Sequence, residues 1–432
     1  MKNPSTTLAD RARTLPRAGI APGALARGLE GLAERALRAR LAQLGHGRIT
    51  LVDGARRDTF GRVTPRCALH ATLLVRDRRF YAEAAFGGSV GAGESFMAGD
   101  WTVDDLTALT RILLANRDVL DGLDGGWSRL AAPARRALHA AARNTRAGSR
   151  RNIAAHYDIG NDFFELFLDP TMMYSCAVFE RPEMTLEQAQ VAKLDRLCRK
   201  LDLKPGDHLL EIGTGWGALA LHAARHYGCR VTTTTISREQ HALARARIDA
   251  AGLSDRITLR LDDYRDLDGR YDKLVSVEMI EAVGHQYFDT FFRRCGELLV
   301  PGGTMVLQAI TIDDRQYASA RDSVDFIKRH IFPGCCIPSV TALAQSATRA
   351  STLRIVDLED VGPHYATTLA AWRRNLHANA GQVRARGYPE ALLRMWHFYL
   401  SYCEGGFAER ALGDVQIVLQ ESSAAVPPTP RL

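Results

Sequence analysis

Residues 208–217 read HLLEIGTGWG and run on into ALALHAARHYG. A short apolar strand, a turn with glycine at every second position and a helix start follow one another directly. That order is the first crossover of a doubly wound parallel sheet, which holds nucleotide-like cofactors at the carboxyl end of the strand. Gly213, Gly215 and Gly217 let the backbone turn tightly and approach a ligand closely.

The chain around this motif has the matching rhythm. Between about 190 and 310 the strand patterns DHLLEI, RVTTTTI, ITLRL, KLVSVE and TMVLQAI alternate with helical ones such as REQHALARARIDAAG and YFDTFFRRCGELL. Such alternation predicts an α/β fold with a parallel sheet. Upstream, an Ala/Arg-rich helical lead is followed by strand-like RITLV, HATLLVRD and RFYAEAAF, then by a helix in VDDLTALTRILLAN. That is the pattern of a smaller α+β unit. Residues 311 to about 410 read as mostly helical inserts, and ERALGDVQIVLQ as a late strand. The expected division is an N-terminal α+β domain (1–128), an arginine-rich linker (129–151), a catalytic domain (152–420) and a flexible tail (421–432).

Charge narrows the partners. The chain has 432 residues and a formal net charge of +7, which favours an anionic partner. Arg129, Arg135, Arg136, Arg143, Arg146, Arg150 and Arg151 fall in one stretch without a carboxylate. It reads as a solvated linker helix or as a patch for anionic head groups or phosphates. No apolar run reaches the roughly 18 residues of a membrane span. The N-terminus lacks the apolar core of a secretory signal. Eight scattered cysteines without a CxxC pair suggest a reduced, cytoplasmic protein with no metal site.

The cofactor is narrowed by what surrounds the turn. A glycine-rich turn alone serves both NAD and S-adenosylmethionine (SAM) proteins. Here Glu211 ends the first strand. The second strand ends in Thr235, Ser237 and Gln240 where an NAD enzyme has an acid for the ribose. After the third strand come Asp263 and Tyr264, an acid and an aromatic suited to clasping an adenine. Together these residues favour SAM.

Further blocks carry a resemblance. RNIAAHYDIGNDFFELFLDPTMMYSCAVFERPEMT, LEIGTGWG, TTTISREQ, VSVEMIEAVG, HIFPGCCIPS, HYATTLAAW, GAGESFMAGDW and GDVQIVLQ are together similar to the cyclopropane-fatty-acyl-phospholipid synthases, from about residue 65 to 420. The resemblance implies a Rossmann-like SAM-dependent methyltransferase fold and a sterol-carrier-like N-terminal domain for membrane and dimer contacts. The implied reaction is transfer of a methylene from SAM to the cis double bond of an unsaturated phospholipid acyl chain. An alkene is a weak nucleophile and its alkylation leaves a carbocation, so the site must be dry and must keep a base beside the new methyl. In the family a bound bicarbonate is that base.

By resemblance, Tyr174 and Ser175 lie beside the cofactor. Cys176, Glu281, Ile310 and Tyr365 hold the anion. Cys176 has no basic partner nearby in sequence and is not read as a nucleophile. One position departs: Gln308 stands where members of the best-known type have histidine. Glutamine hydrogen-bonds but carries neither proton nor charge. Ring closure and a methyl- or methylene-branched product without a ring therefore both remain open. The expected partners are an unsaturated phospholipid, an anionic membrane surface and a second copy of the chain, with no nucleic acid. The expected location is peripheral, on the inner face of the membrane. Phe163, Phe164, Phe167, Met172, Met173, Phe326, Ile331, Phe332 and Trp372 are candidate walls of an acyl channel, or simply core.

Overall fold

The computed structural model describes residues 24–117, 148–149 and 159–422. The seven arginines of the linker lie outside them. The chain packs as two compact units that do not follow its linear order. One takes the N-terminal residues with 322–333 and 369–411; the other takes 143–321, 334–368 and the residues from 412 onward. Among the described residues no helix is long and apolar enough to cross a membrane.

In the first unit α1 (Ala24–Leu41) precedes β1 (Gly47–Asp53), β2 (Arg56–Arg62) and β3 (His70–Val75). Then come α2 (Arg79–Ala98), β4 (Trp101–Val103) and α3 (Leu106–Ala115). The sheet order is β2-β1-β3-β4, with β1 and β3 parallel and the outer pairs antiparallel. RFYAEAAF, expected as a strand, is instead the start of α2. Phe80 and Tyr81 are both buried, whereas a strand would send neighbours to opposite faces. The Ala82–Ala85 stretch that follows consists of strong helix formers.

The second unit follows the expected alternation. Its elements are α4 (Leu186–Lys200), β5 (His208–Ile212), α5 (Ala218–His222), β6 (Arg230–Thr234), α6 (Arg238–Ala250), β7 (Ile257–Arg260), β8 (Tyr271–Val277), α7 (Phe288–Leu298), β9 (Leu299–Ile312), α8 (Val340–Ala350), β10 (Leu353–Asp360), the start of α9 (Gly362–Ala378), and β11 (Leu412–Glu421). The order is β10-β11-β9-β8-β5-β6-β7. β5 to β9 are parallel, and β11 runs antiparallel to both β9 and β10. The edge strand β10 falls in the stretch expected to be helical. Its Val356 and Leu358 are exposed and acids interrupt its pattern, so no buried-strand signal marks it.

Both faces of this sheet are covered. Leu210, Phe291, Phe292, Met305 and Leu307 form the core on one side. Leu197, Leu209, Val231, Val275 and Val306 form it on the other. Each fully buried side chain of this kind stabilises the fold by about 1.5–3 kcal/mol. The chain leaves β5 toward β6 on one side and returns to β8 on the other. The crevice between the carboxyl ends of β5 and β8 is therefore the switch point where ligands bind in such sheets.

Candidate active site

The loop after β5 is the expected glycine turn. Gly213, Gly215 and Gly217 have φ of +105°, +52° and +88°. The amides of Gly213 and Thr214 both donate to the Thr234 carbonyl, at 3.1 and 3.0 Å, which pins the turn to β6. A Cβ at Gly215 would meet nothing within 4 Å. Its dihedral requires glycine, and the space beside it is open to a ligand. Glu211 is buried on β5 and accepts from the Thr233 hydroxyl at 2.6 Å. Burial pushes its carboxyl up to about 8.

The other cofactor candidates are tied to each other. Thr235 donates to Gln240 Oε1 at 2.8 Å and accepts from the Ser237 amide at 3.1 Å. Ser237 caps α6 by accepting from the Gln240 amide. Asp263 is gripped by Arg265, whose Nε and Nη2 donate to it at 2.8 and 2.6 Å. The Tyr264 ring packs against Phe291 in the core, with the Arg265 guanidinium 5.5 Å from its centroid. The glycine turn with the buried carboxylate of Glu211 beneath it fits SAM.

The loop after β8 has a different character. Glu278, the first residue past the strand, is held at φ +47°, a region a side chain seldom occupies. Its amide donates to the Gln308 carbonyl on β9 at 2.8 Å. Its carboxylate gathers three donors from three other segments. Oε1 accepts from the Cys176 amide at 2.8 Å and from Gln308 Nε2 at 2.9 Å. Oε2 accepts from the Tyr365 hydroxyl at 2.5 Å. Gln308 also donates to Asp414 Oδ2 at 2.9 Å and accepts from Gln416 Nε2 at 3.1 Å. The antiparallel register places Gln416 opposite Gln308 and Asp414 opposite Ile310. The Ile310 amide in turn donates to Glu281 Oε1 at 2.5 Å.

Thus Cys176, Gln308 and Tyr365 converge on Glu278, while Ile310 binds Glu281 beside it. Ser175 is buried beside them. Its carbonyl accepts from Gln190, and its hydroxyl accepts from Lys193 Nζ at 2.6 Å. Tyr174 packs against Phe164. Phe163, Phe164 and Phe167 are fully buried and in mutual ring contact, which makes them core. Phe326, Ile331, Phe332 and Trp372 belong to the other unit.

Three carboxyls crowd into one dry place. Burial raises Glu278. Burial, then the charge of Glu278, pushes Glu281 up to about 8. Burial, then Glu278 and Glu281, raises Asp414 well above the usual range. Burial, then Asp414 and Glu278, raises the Cys176 thiol well above its ordinary value, which disfavours the thiolate. Lys193 is the nearby cation; burial brings it down to about 8 against the pull of Glu278 and Asp414.

Sequence reasoning places Glu278 at the end of the fourth strand, near the cofactor, but not as a hub, and it passes over Asp414, Gln416, Gln190 and Lys193. A signal existed for two of them. Gln190 and Lys193 occupy the buried stripe of α4 with Ala189, Leu194 and Leu197, where apolar residues belong.

Known proteins match this chain. The family model for mycolic acid cyclopropane synthetase covers residues 144–417. The chain belongs to this family of SAM-dependent enzymes. It is 42% identical over 327 residues to the tuberculostearic acid methyltransferase of Mycobacterium tuberculosis, covering 74% of this chain and 76% of that one. It is 37% identical over 351 residues to the cyclopropane-fatty-acyl-phospholipid synthase of Escherichia coli, covering 81% and 87%. A mycolic acid cyclopropane synthase solved with S-adenosylhomocysteine superposes with a TM-score of 0.59 at 33% identity, covering 63% of this chain and 98% of that one.

A bound bicarbonate fits this donor set poorly. The Ile310 amide, the Gln308 amide, the Tyr365 hydroxyl and the Cys176 amide all donate to protein carboxylates already. A further anion would join three carboxyls whose ionisation is already opposed by burial.

Proposed function

We propose that this protein alkylates the cis double bond of an unsaturated phospholipid acyl chain with the methyl of SAM and closes a cyclopropane ring. The observation that carries the reading is the convergence of Cys176, Gln308 and Tyr365 on Glu278 at the switch point, next to the glycine turn. Bound at that turn, SAM supplies an electrophilic methyl. The alkene electrons form the new carbon–carbon bond and leave a cation on the neighbouring carbon. Nearby carboxyl groups stabilise that cation better than bulk solvent would, because they are already in place. When a base removes a proton from the new methyl, the C–H electron pair joins the cationic carbon and the ring closes.

Timing decides the product. A 1,2-hydride shift turns the secondary cation into a tertiary one. Loss of the same methyl proton then gives a methylene branch. A base poised beside the methyl acts before the shift, and a displaced one acts after it. The branched product is the second reading. It is favoured by the neutral Gln308 at a position where members of the best-known type have histidine, and by the likeness to a tuberculostearic acid methyltransferase.

The acyl chain is presented at an anionic membrane surface, where each well-placed cation of the 129–151 stretch contributes about 1 kcal/mol. A homodimer and a peripheral location belong to the same reading. Incubation with SAM and vesicles of a mono-unsaturated phospholipid, followed by mass spectrometry and proton NMR of the released acids, tests it. We expect a gain of one CH₂ unit with upfield ring protons. Vinylidene protons at the same mass establish the second reading, and no gain in mass defeats both.

A further inference from the structure

Position 308 is tied to position 414 across the sheet. Gln308 brings no charge to the site, yet its amide bridges two carboxylates, Glu278 and Asp414, both at 2.9 Å. Gln416 fixes the orientation of that bridge by donating to the Gln308 carbonyl oxygen at 3.1 Å. Asp414 is fully buried near the start of β11. β11 runs antiparallel to β9, so its first residues lie at the same sheet edge as the ends of β8 and β9. Asp414 therefore stands at the switch-point edge, beside the Cys176 thiol and Glu278. Its Oδ1, and Glu281 Oε2, have no hydrogen-bond partner among the described residues. A buried carboxylate oxygen without a donor is unfavourable by about 1–3 kcal/mol or more. Two of them in one acid cluster suit an approaching cation or a proton in transit.

We propose that Asp414, held by Gln308, is the base that receives the proton from the alkylated acyl chain, so that this protein needs no bound carbonate. The inference rests on the alkene-alkylation reading above. The step balances within the chain and its substrate. A C–H bond of the transferred methyl breaks, its electron pair neutralises the carbocation, and the proton forms an O–H bond at Asp414 Oδ1. Solvent takes that proton when the next SAM binds. Burial and its carboxylate neighbours favour the protonated form of Asp414 in the empty site. A cationic sulfonium and a carbocation beside it favour the ionised form again, so the group becomes a base when the reaction generates positive charge.

The test measures turnover of SAM and mono-unsaturated phospholipid vesicles in carbonate-depleted buffer and after addition of bicarbonate. We expect wild-type rates to agree within about twofold. We expect Asp414→Asn, which keeps the size and loses the basicity, to fall by about 100-fold or more, the usual share of a general base, while its calorimetric affinity for SAM stays within a fewfold. The pair Gln308→His with Asp414→Leu is expected to recover activity only when bicarbonate is added. A wild-type rate that collapses on carbonate removal overturns the proposal and needs no variant to fold. So does an Asp414→Asn protein as fast as wild type. Absence of any product under every condition is a different failure, and it brings down the alkylation reading itself.

Discussion

The turn after β5 and the acid cluster after β8 flank one crevice, yet they are built in opposite ways. The first is a continuous stretch of chain whose shape comes from its own glycines and from two amides on Thr234. Its neighbours Thr235, Ser237 and Gln240 satisfy one another within six residues. The second has no local integrity. Glu278 is positioned by Cys176, Gln308 and Tyr365, which lie 102, 30 and 87 residues away. In the proposed reading, a cofactor common to many enzymes is met by backbone, and the chemistry by side chains from distant segments.

The sharpest way to break that contrast is to remove the hub. Glu278→Leu leaves the Cys176 amide and the Tyr365 hydroxyl without their acceptor, and the Gln308 side-chain amide with Asp414 alone. Losing one member of a buried ionic network is unfavourable by about 3–5 kcal/mol. Relief of repulsion on Glu281 and Asp414 offsets part of this. We expect chemical denaturation to show a loss of about 3 kcal/mol and activity to fall below detection. Unfolding at the wild-type denaturant concentration would mean that the four segments hold together without Glu278.

The same contrast explains what was legible. The α/β class, the strands β5 to β9 and the glycine turn follow from periodicity and local turn chemistry, and these do not depend on the rest of the chain. Cys176, Glu281, Gln308, Ile310 and Tyr365 came from resemblance, and the structure does bring them together. Glu278 was noticed at the strand end but not as a centre, because nothing near it in sequence reveals three remote donors. Asp414 and Gln416 read as polar interruptions of an apolar strand, and only the β9–β11 register shows what they face. RFYAEAAF misled because its aromatics suggest a strand while its alanines and its paired burial make a helix.

A second effect, in the acid cluster, is read through pH. Glu281, with its carboxyl near 8 in the folded protein and an ordinary value of 4.5, binds a proton more tightly when folded. Its contribution to stability is complete below about 4.5 and is lost as pH rises through 8, at up to about 1.4 kcal/mol per unit. Lys193 works in the window above, from about 8 to 10.5, and with the opposite sign, because burial lowers it. Urea unfolding of the wild type and of Glu281→Gln at pH 5 and pH 8 reads the difference directly. We expect the variant to lose less stability than the wild type between those values. Parallel behaviour would show that Glu281 is not held as a protonated acid.

The smallest effect on folding belongs to the turn, and it carries a binding consequence that the acid cluster should not feel. Gly215 has φ +52° and open space where a Cβ would go, so a larger residue there meets strain but no clash. A left-handed conformation disfavours a side chain by about 1–2 kcal/mol, more for a β-branched one. Gly215→Val should therefore lower stability by about 2 kcal/mol while its side chain fills the space beside the turn. Calorimetric titration with SAM is expected to show affinity lost by at least tenfold. The pH dependence of stability set by Glu281 should stay as in the wild type, since no hydrogen bond of that carboxyl runs through the turn. If Gly215→Val binds SAM as the wild type does, the donor lies elsewhere on the sheet edge, and the proximity of turn and acid cluster loses its meaning.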